Sequence, residues 1–317
     1  MAGTLRLAVR KSSRAAFLAF AAALHLTAAT AADDRIVINP SSPYPEGPLV
    51  IGDIVYYAEM GANRVLRWNG KTSTEVWSRP ECGPTSIARG EGDNLIVLCH
   101  HEQVLVRITP SGETLDVIHT DSVGRPFRTP NASVNDRRGG VYFSSSGSFD
   151  AGSQAEGAIL YLDPSGSLRR LAEGIRYANG VALSPDGRTL FVSEHFARRV
   201  LAFEISPDGN LLNPRVFLAL DDLVPPDPNR SWEAGPDGLA TDPAGNLYIA
   251  EYGGSRLIVA DSAGKLKATI AFPERYVTAP ALIEGERRIF VTAPSSMYDP
   301  RAPGKVYSVA NPAYGQE

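Results

Sequence analysis

Residues 179–194 read Asn179-Gly180-Val181-Ala182-Leu183-Ser184-Pro185-Asp186-Gly187-Arg188-Thr189-Leu190-Phe191-Val192-Ser193-Glu194. A polar start leads into a short apolar run. Pro-Asp-Gly supplies a turn, and a second apolar run ends on a polar residue. Two short apolar runs about a glycine-containing turn signal a β-hairpin. The same text returns at Asp237-Gly238-Leu239-Ala240-Thr241-Asp242-Pro243-Ala244-Gly245 with Leu247–Glu251, and at Asn131–Asp136 with Val141–Ser145. Fainter copies begin near Glu46, Thr85 and Ala279, so successive starts lie 39, 46, 48, 58 and 42 residues apart. A third strand is legible in each unit: Arg64–Trp68, Val104–Ile108, Ile159–Leu162, Val200–Phe203, Leu257–Ala260 and Lys305–Val309. These are read as the outer strands, each followed in most units by a Pro/Ser/Asp-Gly turn.

A repeat of about 48 residues holding four short strands is the period of a propeller blade. The expectation is therefore an all-β, six-bladed β-propeller of four-stranded blades, one domain over residues 33–317. The last unit lacks a fourth strand after Val309, and Asp34–Asn39 can supply it, closing the ring and hiding an edge. A two-domain sandwich would need a linker that the period runs straight through. A (β/α)8 barrel would need amphipathic helical text between strands, which is missing. The long irregular stretch Asp221–Gly235 explains the 58-residue spacing, either as a plain surface insertion or as a loop at a pocket mouth.

Composition agrees. In 317 residues, Gly 29 and Pro 24 make about one residue in six, and the hydrophobic fraction of 43% is ample for a core. Residues 1–32 carry Arg6, Arg10, Lys11 and Arg14, then the apolar run Ala15–Leu26, then small residues up to Ala32. This reads as a signal peptide with a cleavage site near Ala29–Ala32, and places the mature chain outside the cytoplasm, secreted or periplasmic. The run is too short for a membrane anchor, so no membrane association is expected after cleavage. Cleavage removes four of 31 basic residues and none of 35 acidic ones, taking the formal charge from -4 to -8. That excess weighs against nucleic acid as a partner. Cys82 and Cys99 are read either as one disulfide, which export permits, or as two buried thiols.

The first strand of each blade lines a propeller's central channel, so the starts of these strands converge at one end. Glu46, Asn131, Asn179 and Asp237 stand there, all oxygen donors. Two carboxylates and two carboxamides around one axis suit a hard divalent cation. The plain alternative is that Asn-Gly and Asp-Gly are turn formers. Second strands run antiparallel to the first and bring His100/His101, Ser144/Ser145, Glu194/His195 and Glu251/Tyr252 to the same opening. No nucleophile elbow, dinucleotide loop or phosphate loop is present. The Asn131-Ala132-Ser133 acceptor pattern is read as incidental because that Asn faces the channel.

Over residues 40–310 the chain resembles the SMP-30/gluconolactonase/LRE-like family, through Tyr44-Pro45-Glu46-Gly47-Pro48, Tyr177–Asp186, Gly235–Ala240 and Asn246–Ala250. The resemblance implies one divalent cation, calcium first, with magnesium, manganese or zinc as alternatives, held by Glu46, Asn179 and Asp237. It implies that Asn131 orients substrate or water. The implied reaction is hydrolysis of a small-molecule lactone or ester by a monomer or weak homo-oligomer. Asp237 would double as general base or position a water on the cation, with His101 or His195 as substitutes. Departures from the family pattern at Ala132, Thr129 and Ala279 suggest a pocket less suited to sugar lactones, with Phe127, Phe149, Phe196 and Tyr252 as an apolar lining. Competing readings are a non-catalytic, metal-stabilised binding propeller and a metal-dependent organophosphate or aryl-ester hydrolase. A strictosidine-synthase-like condensing enzyme is more distant, since its chemistry needs no such cage.

Overall fold

The computed structural model describes residues 34–316 except 227 and 229; the signal-peptide reading of residues 1–32 lies outside them. Twenty-four strands, β1–β24 in chain order, form six four-stranded antiparallel sheets. The inner strands are β2 (Pro45–Ile51), β6 (Pro84–Arg89), β10 (Pro130–Asn135), β14 (Ala178–Leu183), β18 (Gly235–Thr241) and β22 (Ala279–Ile283). The second strands are β3 (Ile54–Glu59), β7 (Leu95–Cys99), β11 (Val141–Ser145), β15 (Thr189–Glu194), β19 (Leu247–Tyr252) and β23 (Arg288–Ala293). The ring closes as expected: β1 (Ile36–Pro43) pairs antiparallel with β24 (Pro303–Ala310), completing the last blade.

Blades are held to one another by six apolar clusters, each shared between two neighbours. Leu95, Val97 and Val106 of the second blade pack on Ala58, Val65 and Trp77 of the first. Val55 and Tyr57 pack on Phe290 and Val306, joining the first blade to the last. Because each sheet is covered on both faces, second strands read as unbroken apolar runs; β7 and β11 are buried throughout. The outer strands read from sequence are the third of each blade. Outside them lie fourth strands such as β17 (Leu211–Ala219), largely exposed and poor in apolar periodicity. The turns are pinned by aspartates: Asp163 Oδ1 accepts from Ser165 and Ser167 N–H, and Asp261 Oδ1 from Ala263 and Lys265 N–H. Cys82 and Cys99 are disulfide-bonded and fully buried. Among the described residues no helix is long and apolar enough to cross a membrane.

Candidate functional site

Near the start of four inner strands a polar residue follows proline: Glu46, Thr85 and Asn131, second in their strands, after Pro45, Pro84 and Pro130, and Asp237, third in its strand, after Pro236. Asn179 occupies the same place after Ala178. Two backbone devices aim these side chains. The residue ahead of the strand is left-handed in four blades: Tyr44 (φ 48), Gly83 (φ 51), Thr129 (φ 53) and Tyr177 (φ 60). For bulky residues this conformation is costly and tends to mark functional sites. In addition, β2, β6, β10, β14 and β18 each shift register against the second strand at the polar residue. Such bulges re-aim a side chain. The sixth inner strand, where the place is held by Ala279, keeps its register.

Glu46, Thr85, Asn131, Asn179 and Asp237 meet in a cavity of about 210 Å³, with Tyr44, Met60, His100, His101, Phe149, Tyr177, His195, Tyr252, Met297 and Pro300 as the rest of its wall. Glu46, Asn131, Asn179 and Asp237 are all buried. The glycines that follow Glu46, Asn179 and Asp237 lie within strands, not in turns. A Cβ on Gly180 would press into the Asp237 carbonyl, and one on Gly238 would come within 2.8 Å of Ala279. Glycine is there so that adjacent inner strands approach closely, which overturns the turn-former alternative.

No Lys or Arg lines the cavity. Desolvation raises the Glu46 carboxyl well above its ordinary value, and the charge of Asp237 raises it further. Burial likewise pushes Asp237 well up, opposed by a hydrogen bond from the Asn179 side chain. The Asn179 Oδ1 is buried without a partner. Two crowded carboxylates and an orphaned carboxamide oxygen are a donor set that a hard cation satisfies. Glu46, Asn179 and Asp237 therefore fit the implied ion. Among the described residues no group of three or more His, Cys, Asp or Glu is disposed to hold a metal, and this set has only two carboxylates.

Asn131 Nδ2 donates to Ser146 Oγ at 3.1 Å, and Ser146 donates to the Ala178 carbonyl at 2.6 Å. The Thr85 hydroxyl, not singled out from sequence, donates to the Asn131 carbonyl at 2.9 Å. The Tyr44 and Tyr252 hydroxyls pair at 2.8 Å. The histidines differ. His195 is fully buried, with Nδ1 3.0 Å from the Pro236 carbonyl and Nε2 2.8 Å from that of Glu233, so it has no nitrogen free to serve as base. His101 lies on the exposed rim with its ring against Gly83. His100 has Nδ1 at 3.2 Å from the Pro130 carbonyl. Burial, then the neighbouring His101, pull His100 down to about 4, with the Pro130 bond opposing.

The aromatic lining needs two corrections, since neither Phe127 nor Phe196 is part of the cavity wall. Phe127 is 1% exposed and packs edge-on against Phe143 in the core between the second and third blades. Phe149 does line the cavity, and its ring lies 5.2 Å from Phe196 and 5.4 Å from Trp232. Trp232 comes from the 221–235 stretch, which thus packs against a residue of the cavity wall. His195 holds this stretch at Glu233, whose carboxylate meets Arg275 at 3.3 Å. Glu194 and Glu251 do not face the opening; they are buried in ion pairs with Arg199, and with Arg198 and Arg256. Arg128 is also turned away, onto Glu156.

Fold and site together define a six-bladed propeller with an acidic, cation-suited centre at one end of its channel. The chain belongs to the SMP-30/Gluconolactonase/LRE-like family, whose model matches residues 44–295. It is 30% identical over 167 residues to a lactonase drp35 of Staphylococcus saprophyticus, covering 50% of this chain and 49% of that one. The chain thus spans about half the length of the first curated relatives it matches. Among solved structures, a gluconolactonase from Xanthomonas campestris superposes with TM-score 0.71 at 22% identity, covering 87% of this chain and 89% of the other. Regucalcin from Agrobacterium tumefaciens, described as a calcium-binding protein, superposes with TM-score 0.70 at 17% identity over 88% and 95%. Both likenesses are of fold.

Proposed function

We propose that this chain is a lactonase that opens a cyclic ester with the help of one divalent cation, calcium first, held by Glu46, Asn179 and Asp237. The observation that carries the reading is the pairing of two buried carboxylates with the unpartnered Asn179 Oδ1 in one cavity, in a chain of a family with lactonase members. The calcium-binding relative in fold supports the choice of ion. When bound, such a cation polarises a carbonyl and offsets the charge that develops on its oxygen. Asp237, which accepts from the Asn179 side chain, would then be a ligand and a poor base. Asn131, fixed by Ser146, orients the substrate through its amide. Phe149, Met60, Met297 and Pro300, with Trp232 packed on Phe149, form an apolar rim around that polar floor. With no Lys or Arg on the wall to meet a sugar's oxygens, the preferred lactone carries an apolar substituent rather than a sugar's hydroxyls.

The basic and apolar text of residues 1–32 and the Cys82–Cys99 pairing support export, since disulfides persist in oxidising compartments.

The test is proton release from lactones matched in ring size but differing in substituent, before and after chelator, with calcium, magnesium, manganese or zinc added back. Turnover restored by the ion, and faster on alkyl- or aryl-substituted rings, supports the reading. Trp232→Ala should then lower kcat/KM on the substituted rings about tenfold while sparing the bare ring, since a lost aromatic contact is worth about 1 kcal/mol or more. An inert protein with the cation demonstrably bound would refute the lactonase reading and leave a binding propeller.

A further inference from the structure

The cavity holds three histidines, and each uses its ring nitrogens differently. His195 has both on carbonyl oxygens, at 3.0 and 2.8 Å. His101 is at the exposed rim. His100 has one partner, the Pro130 carbonyl 3.2 Å from Nδ1. A carbonyl only accepts, so Nδ1 must carry the proton, and in a neutral ring Nε2 is then a bare lone pair. His100 lines the cavity, and Pro130 immediately precedes Asn131, so the ring is tied to the same strand that carries the substrate-orienting amide. Its backbone is equally fixed: His100 N–H donates to the Gly83 carbonyl at 3.1 Å, directly after the disulfide-bonded Cys99.

We propose that His100, through Nε2, is the general base that activates the attacking water. The assignment rests on the lactonase reading above. The water oxygen bonds to the lactone carbonyl carbon as its proton passes to Nε2. The ring C–O bond then breaks, and the departing alkoxide takes the proton back from Nε2. The hydroxy acid so formed releases its carboxylic proton to solvent. Between the two transfers the imidazolium donates Nδ1–H to the Pro130 carbonyl, which favours the charged form just when it exists. Burial keeps the free ring neutral, which leaves the Nε2 lone pair open in the resting site.

His100→Asn is the informative variant, because its amide NH2 can stand in for Nδ1–H while Nε2 is removed. It should lower kcat about 100-fold or more, the usual worth of a positioned base, with KM and calorimetric calcium affinity within threefold of wild type. His100→Gln should fall similarly. An active wild type with His100→Asn unimpaired overturns the base role alone. A wild type inert on every lactone overturns the lactonase reading, and the base role with it. Nitrogen-15 histidine NMR reads the ring without turnover: the signal lost in His100→Asn should be the neutral Nδ1–H tautomer at pH 7. An Nε2–H tautomer or an imidazolium there overturns the assignment.

Discussion

Gly180→Ala isolates the packing that brings the proposed cation ligands Asn179 and Asp237 together. Gly180 does not have a positive φ, so alanine meets no backbone penalty there. What excludes a side chain is the neighbouring strand. The new Cβ would press into the Asp237 carbonyl and stand 2.8 Å from both Gly238 Cα and Leu239 N. These are backbone atoms and cannot swing aside, so β14 and β18 must separate. The Asp237 carbonyl also accepts the Ser193 hydroxyl at 2.7 Å, a bond the displacement would stretch. Overpacking of this kind costs about 1–3 kcal/mol. At roughly 2–4 °C per kcal/mol for a large domain, Tm falls by about 2–12 °C. Because Asn179 and Asp237 immediately precede the two glycines, calcium affinity should fall with it. Gly187→Ala is the counterpart. Gly187 has φ 71 and open space around it, so alanine pays only for the left-handed backbone, about 1–2 kcal/mol, and calcium affinity is untouched. Differential scanning calorimetry and calcium titration on the two variants decide the matter. A Gly180→Ala protein with wild-type Tm and wild-type calcium affinity would refute the close approach, and with it the reason given for glycine after each ligand.

On the cation reading, Glu46→Gln and Asp237→Asn should each abolish most calcium-induced stabilisation, expected for the wild type at about 2.7 kcal/mol at a hundredfold excess over Kd; melting curves with and without calcium are the check. Joint replacement of Cys82 and Cys99 by alanine should cost about 3 kcal/mol, because their separation of 17 residues closes a short loop; an unchanged denaturation midpoint would count against it. Asp121 supplies a pH test. Burial alone would raise its carboxyl, but N–H bonds from Arg125 and Val123 and the guanidinium of Arg170 outweigh that and hold it below its ordinary value. A depressed folded pKa means its stabilisation is complete above the unfolded value near 3.9 and disappears as pH falls through the folded one. Asp121→Asn should therefore cost about 1–3 kcal/mol at pH 7, with the gap in Tm from wild type narrowing towards pH 3; a gap independent of pH would refute the charge-based account.

The propeller was legible because burial on both faces writes second and third strands as plain apolar runs, and because Pro/Asp-Gly turns punctuate them. Fourth strands escape for the opposite reason: β17 is mostly solvent-facing and has little to alternate. The ring of polar residues was only partly visible. Glu46 stood out because its turn needs no carboxylate, whereas Thr85 passed for an ordinary strand residue. A usable signal did exist, since Thr85 follows Pro84 as Glu46 follows Pro45, Asn131 follows Pro130 and Asp237 follows Pro236. The left-handed Tyr44 and Tyr177 could not be foreseen, as bulky residues are poor choices for that conformation. Phe127 and Phe149 look alike in sequence, yet one is core and the other cavity wall. The histidines show where local reading must stop. His100 and His195 both sit at or just beyond the end of a second strand, but their roles are set by carbonyls 30 or more residues away. Pro130 takes one nitrogen of His100, while Pro236 and Glu233 take both of His195. The 221–235 insertion supplies Glu233, so the same loop that sets Trp232 against Phe149 also withdraws His195 from acid–base chemistry, and on the base proposal that work falls to His100, two blades away.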